Sequence, residues 1–353
     1  MSGGLRSIVQ LHTSPHLHQT LTVEKIMRHV VYAMLPLCAW SVFQFGLSAL
    51  ALLIVCTVVC VGTEHLTCHL SGRPSTINDW SAVITGILLA LILPPGFPLW
   101  MAAVAAVFGM AVGKAFWGGL GFNVMNPALV GRAFAQAAFT APMTTWVPSM
   151  APGRFTEFIP STLTPPFLQP TSITDWLSRV AVDGWTGATP LALMKTQQIP
   201  TDITALLTGT ISGSAGETSA LLILLGGIYL AARRMMDWRI PIAILGSAFI
   251  LSGIFYLVDP QQYPSPLFTL FAGGLMLGAV FMATDMVGSP ETARGAWIYG
   301  ILIGVLTVLI RLFGGLDAGV MYAILLGNAA SPLISRMTQP RKYGALKLRK
   351  ERA

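Results

Sequence analysis

The sequence predicts an all-α, polytopic membrane protein of about ten transmembrane helices, arranged as two inverted five-helix repeats with a long exported central loop. Three observations carry that prediction. The chain is 54% hydrophobic and only 10% charged, with a mean hydropathy of +0.69, well outside the usage of soluble domains. Apolar segments recur at close to the roughly 17–25 residues needed to cross a hydrocarbon core about 30 Å thick. A more polar stretch, residues 142–218, divides those segments five and five, and an odd number per half turns the second half upside down relative to the first.

Taken in order, residues 1–29 form a polar segment with His12, His16 and His18. It lacks the early apolar core and small-residue cleavage site of a signal peptide and is expected to stay in the cytoplasm. Its histidines have no acidic or cysteine partner at ligand spacing, so a solvated tail is the better reading than a metal site. The first membrane half, 30–141, holds spans near 30–46, 48–66, 80–94, 98–114 and 126–141. Turns are marked by Pro94-Pro95-Gly96 with Pro98, and by Gly118-Gly119 with Gly121. The second half, 219–336, holds spans near 219–233, 240–258, 267–283, 296–313 and 318–336, broken by prolines between Pro260 and Pro266 and by Gly314-Gly315. Residues 337–353 are a basic tail.

Orientation follows from lysine and arginine, which accumulate on cytoplasmic segments. With the N-terminus inside, those segments collect Arg6, Lys25, Arg28, Arg73, Lys114, Arg233, Arg234, Arg239, Arg294, Arg336 and the tail. The loop at 142–218 keeps only Arg154, Arg179 and Lys195 against five carboxylates. It is therefore expected on the exported, periplasmic face of a bacterial inner membrane. The net charge of +7 is explained by these topology signals, so nucleic acid is not an expected partner; the bilayer is.

Ionisable and amide side chains inside a membrane are costly, which makes them candidates for function. Lys114, Asn123, Asn126 and Arg132 cluster around the junction of spans four and five, and Thr284-Asp285 ends span eight. Asn126 before Pro127 also reads as a helix N-cap. Gly118-Gly119-Leu120 followed by Asn126 to Arg132 is echoed by Gly314-Gly315-Leu316 followed by Asn328 to Arg336. By the topology above the copies face opposite sides, and inverted repeats place a pathway or ligand site at the interface between halves. His65 and His69 lie one helical turn apart beside Glu64, but no second cluster completes a metal site. Cys38, Cys56, Cys60 and Cys68 lack paired Cys-x-x-Cys spacing and read as small hydrophobes.

The central stretch Asp183-Gly184-Trp185-Thr186-Gly187-Ala188-Thr189-Pro190 offers a hydroxyl on Thr189 after small residues and before a proline, a good acceptor for covalent modification. Thr186-Gly187-Ala188-Thr189 resembles the Ser/Thr-Gly-Ala-Thr flavinylation motif of the Rnf and sodium-pumping quinone reductase family. The stretches from Gly118 to Phe134 and from Phe281 to Pro290 are similar to that family as well, with Met286 where its pattern often has proline. The resemblance covers nearly the whole chain, and the short N-terminal segment favours the D-type membrane protein of the Rnf branch (RnfD) over its B-type counterpart in the NADH:quinone reductase.

The resemblance implies FMN joined to Thr189 as a phosphoester by a flavin transferase, with Asp183, Thr186, Gly187 and Ala188 supporting the motif. It further implies flavin-bearing and iron-sulfur partner subunits, electron transfer between ferredoxin and NAD coupled to sodium or proton movement, and a second, noncovalent flavin such as riboflavin near Lys114 and Asn126. No residue of the chain is expected to be catalytic alone, since the flavin supplies the electron chemistry. A small-solute channel or transporter with inverted repeats, and a structural membrane subunit without cofactor, are the competing classes.

Overall fold

The computed structural model describes residues 22–73, 76–173, 175–177, 188–217, 219–315 and 318–340. His12, His16, His18 and the tail beyond 340 lie outside them. Among the described residues every regular element is helical. The first half contains α1 (Val23–Phe45), α2 (Leu47–Leu70), α3 (Ser81–Ile92), α4 (Leu99–Met110, continuing through a π turn at Ala111–Ala115) and α5 (Pro127–Ala138). Short α6 (Thr140–Met143), α7 (Pro190–Gln197) and α8 (Ile203–Thr208) belong to the central segment. The second half contains α9 (Ala220–Ala232), α10 (Arg239–Val258), α11 (Pro266–Phe271), α12 (Leu275–Leu277, continuing through a π turn at Gly278–Met282), α13 (Ala293–Phe313) and α14 (Val320–Thr338).

Four of these, α1, α2, α10 and α13, are each long and apolar enough to cross a membrane. The others expected to span are shorter or interrupted, except α14, which has 19 residues but is less apolar. α3 has 12 residues, about 18 Å at 1.5 Å per residue, and ends where Pro94 forces Leu93 into extended backbone. Span eight, expected as one helix over 267–283, is instead broken at Ala272-Gly273-Gly274, where Gly273 has φ +65° and the chain restarts as α12. Such breaks free backbone carbonyls that hydrocarbon cannot solvate, so the protein must satisfy them. Leu91 O and Leu93 O accept from Gly216 N at 2.6 Å and Ala215 N at 3.2 Å, and Thr269 O and Ala272 O accept from the Arg311 guanidinium at 2.6 and 3.0 Å.

In the first half α2 packs against α3 and α4, and α4 against α5; in the second, α10 packs against α11 and α13, and α13 against α14. The halves meet where α1 lies on α9 and α5 on α14. The helices approach closely through small residues, as expected where lipid is as apolar as leucine. Gly300 and Gly304, one turn apart on α13, are the sharpest case. A Cβ on Gly304 would sit 2.5 Å from Ile244 O of α10, and one on Gly300 would sit 2.9 Å from Ile240 O.

The central segment is no free loop. Val147, Ala151, Ile159, Ile173 and Trp176 form a small apolar core, and Leu206 and Ile211 pack on Phe268 and Ala272. It covers the end of the bundle where α1 turns into α2 and α13 into α14. Arg154 Nε donates to Phe43 O at 2.8 Å, and Lys195 Nζ to Gly314 O at 2.6 Å. At Gly46, the α1–α2 turn, a Cβ would lie 1.8 Å from Arg154 O, so only glycine admits this contact. Residues 211–217, the end of the stretch expected as the exported loop, are largely buried and insert onto the end of α3.

Replacing Gly304 by leucine forces α13 off α10 and is expected to cost about 1–3 kcal/mol by overpacking. A thermal unfolding scan in detergent should show a clearly lowered midpoint against wild type and against an exposed control such as Ile301→Leu.

Candidate functional site

Two polar cavities lie at opposite ends of the bundle, and the predicted site residues divide between them. The first sits between the halves. It is lined by Lys114, Asn123, Asn126, Ser81, Thr284 and Asp285 among apolar side chains of α1, α3, α9 and α12. Both π turns lead to it: one in α4 carries Lys114, and the other ends α12 just before Thr284-Asp285. Single π turns re-aim the residues that follow them and concentrate at functional sites.

Lys114 is 3% exposed. Its ammonium donates to Glu64 Oε1 at 2.6 Å and to Ser81 Oγ at 2.5 Å, and Ser81 Oγ in turn donates to Asp79 Oδ1 at 2.5 Å. Lys114, singled out in the sequence as an intramembrane charge, is half of a buried ion pair. Glu64, noticed in the sequence only beside His65 and His69, turns inward and also accepts from Thr76 Oγ1 at 2.7 Å. Asn123 Nδ2 donates to Asp285 Oδ2 at 3.3 Å, linking the halves. Asn126 does two jobs: its Oδ1 caps α5 by accepting from Ala128 N at 3.0 Å, and its Nδ2 donates to Met282 O at 3.3 Å.

Arg132 is not in this group. It lies farther along α5 and lines a second cavity of about 310 Å³ with Gln136, Trp146, Ala188, Thr189, Ser212, Glu217 and Gly273. That volume is at the lower end of the roughly 300–1,000 Å³ of small-molecule sites. Thr189 is not on an open turn either: it is 8% exposed and is the N-cap of α7, with Oγ1 accepting from Ala192 N at 3.2 Å. Pro190 at the first helical position suits that geometry. Ser212 Oγ donates to Ala188 O at 2.7 Å and ties the residue before Thr189 to the inserted segment. Asp183, Thr186 and Gly187 lie outside the described residues.

Arg132 Nη1 stands 3.9 Å from Glu217 Oε1, both residues being buried. Neither Arg132 Nε nor Glu217 Oε1 has a hydrogen-bond partner among the described residues. Arg311, which caps broken α11, comes close to Gly273, where a Cβ would be 3.3 Å from Arg311 Nη2. Sequence reading passed over Arg311 and Glu217. Arg311 had a signal, a lone cation inside the apolar run 296–313; Glu217 had none, because it sits in a stretch that reads as loop.

The chain matches the model of the NQR2, RnfD, RnfE family over residues 10–344. It belongs to that family. It is 41% identical over 344 residues to the D subunit of the Na+-translocating ferredoxin:NAD+ oxidoreductase complex of Acetobacterium woodii, with 96% of each chain covered. It is 38% identical over 349 residues to the D subunit of the proton-translocating ferredoxin:NAD+ oxidoreductase complex of Clostridium ljungdahlii, covering 96% of this chain and 97% of the relative. Against the D subunit of the ion-translocating oxidoreductase complex of Stutzerimonas stutzeri it is 40% identical over 335 residues, 92% of each chain. Relatives named for sodium and for protons are thus about equally similar, so overall similarity does not select the ion.

Removing one partner of a buried ion pair strands a charge and typically costs about 3–5 kcal/mol. Lys114→Met should therefore lower the thermal midpoint strongly, Glu64→Gln less so, and the double variant should recover most of the loss. A double-mutant cycle measured by denaturation in detergent checks this; additive single effects would contradict a direct Lys114–Glu64 interaction.

Proposed function

We propose that this chain is the flavin-carrying membrane component of an Rnf-type complex that couples electron transfer between ferredoxin and NAD to sodium or proton translocation. The observation that carries the reading is kinship over nearly the full length with the D subunits of such complexes. On this reading it acts with the other Rnf subunits, flavin-bearing, iron-sulfur and membrane, in a bacterial inner membrane, and is not catalytic alone.

The topology that goes with it is ten spans in two inverted halves, both termini cytoplasmic and Thr189 on the periplasmic side. The matching order of helix packing in the two halves supports the inversion. So does the location of the central segment, at the end of the bundle opposite the Lys114 cavity.

FMN is carried on Thr189 as a phosphoester, put there by a flavin transferase. The residues present suit that group: a hydroxyl on a cavity wall, apolar and aromatic surface from Trp146, Leu191 and Ile211, and a buried guanidinium with an unused donor. When bound, the flavin supplies the electron chemistry, and the protein supplies attachment, orientation and electrostatics. α7 fixes the direction in which Thr189 presents its oxygen, and the covering central segment limits access of water. A second, noncovalent flavin such as riboflavin is assigned by the same reading to the cavity of Lys114, Asn123, Asn126 and Asp285. Its amide and charged groups converge within an apolar wall, as in small-molecule sites generally. Asp285 and Lys114, each contributed by a different half, are the residues through which that cavity would couple to ion movement.

The protein coexpressed with its flavin transferase should give a fluorescent band on a denaturing gel, and Thr189→Val should abolish the fluorescence. A dark wild-type band would sink the flavoprotein reading, and a fluorescent variant would move the attachment site. Asp285→Asn in the assembled complex should keep the fluorescent band but reduce ferredoxin-driven ion uptake into vesicles by about tenfold or more. Unchanged uptake removes Asp285 from the coupling pathway.

A further inference from the structure

The two buried ion pairs of this protein are made very differently. Lys114 and Glu64 touch at 2.6 Å, and Ser81 and Thr76 add hydrogen bonds to the ammonium and to Glu64 Oε1, while Glu64 Oε2 has no partner among the described residues. Arg132 and Glu217 are equally buried, yet stand 3.9 Å apart with no hydrogen bond between them. A buried pair kept only for structure needs close geometry and satisfied donors to offset desolvation, and this one has neither. Arg311 adds a second buried guanidinium behind Gly273 of the same cavity wall, and its two Nη groups are committed to Thr269 O and Ala272 O. Arg132 Nε and Arg311 Nε both lack a hydrogen-bond partner among the described residues, and of the two arginines it is Arg132 that lines the Thr189 cavity.

The N-terminus of α7 lines the same cavity. Thr189 is its N-cap, Pro190 has no N–H, and the first donors of the helix are the amides of Leu191 and of Ala192, the latter already given to Thr189 Oγ1. A helix N-terminus favours anionic oxygen through these amides and its dipole. An anion attached to Thr189 Oγ1 would meet those amides on one side and the Arg132 guanidinium, whose planar fork suits phosphate, on the other.

We infer that the cavity holds a phosphate subsite, formed by Arg132 of α5 and the N-terminus of α7, that receives the phosphoester of the flavin on Thr189. The inference rests on the flavin reading above and assigns Arg132 as its positioning residue. Glu217 is then the internal stand-in for that anion: it holds Arg132 loosely until the phosphate arrives. Glu217 is itself kept in place by glycines, since a Cβ on Gly274 would lie 2.9 Å from Oε1 and one on Gly213 would lie 3.3 Å from Oε2.

The test uses the full chain made in a host lacking flavin transferase, so that Thr189 is unmodified, carrying Lys114→Met with Glu64→Gln to disable the other flavin cavity, reconstituted in nanodiscs and titrated separately with FMN and riboflavin. FMN should bind at least about tenfold more tightly than riboflavin. Arg132→Met should erase that preference while leaving riboflavin binding unchanged, and Arg132→Lys should keep part of it. Glu217→Gln, which releases Arg132, should strengthen FMN binding, a gain that a purely structural role for the pair would not produce. Inorganic phosphate should compete with FMN and not with riboflavin. Equal binding of the two flavins, or a preference for FMN that survives Arg132→Met, overturns the subsite, as does displacement of FMN by a short-chain phosphatidylglycerol but not by inorganic phosphate, which would make it a lipid headgroup site. A fluorescent wild-type band on the gel together with an unchanged FMN preference in Arg132→Met refutes the subsite alone. A dark wild-type band refutes the flavin reading itself.

Discussion

Inside a bilayer an ionised side chain or an unpaired carbonyl has no water to turn to, and much of this bundle is arranged around where such groups find one another. The two helix breaks show it. α3 stops early at Pro94, and its free carbonyls are taken up by the amides of residues 215 and 216, which draws the end of the central segment down onto the helix. The break after α11 is met by Arg311, a cation set at a helix C-terminus where the dipole favours it. Because Arg311 and the inserted segment both converge on these breaks, Glu217 and Thr189 are brought to the same neighbourhood.

The polar groups that remain fall into two kinds. Glu64, Lys114, Ser81 and Asp79 form a chain of short hydrogen bonds within the first half, which pins α2, α3 and α4 together. Asn123 and Asp285 reach across to the other half through one longer bond, and Arg132 and Glu217 barely touch. The tight set lies within one half and presents Lys114 and Ser81 to the cavity between the halves, and the loose sets reach across to the other half or face Thr189.

Membrane class, helical content and the kinship were legible in the sequence, because apolar length and a local motif survive without knowledge of the fold. Asn126 as a helix cap was legible too, since capping depends on neighbours only two residues away. The grouping of Arg132 with Lys114, Asn123 and Asn126 was not. Those residues are close in sequence, but α5 carries Arg132 away from the turn, and a helix face is fixed only by what packs against it. Lys114 was singled out as an intramembrane charge, but its partner was not, because Glu64 is fifty positions away.

By itself the sequence determined that this is a multi-pass helical membrane protein and which family it belongs to, and it singled out a threonine before a proline as the candidate attachment point. All of these are written in composition or in contiguous residues. Only the tertiary structure decided that Thr189 caps a helix and faces a cavity with a buried arginine, that span eight is broken, and that residues 211–217 are part of the packed interior. The physical reason is the same in each case. Satisfying a freed carbonyl or a buried charge is a long-range condition, and it can be met by any donor or counter-charge that the fold brings near.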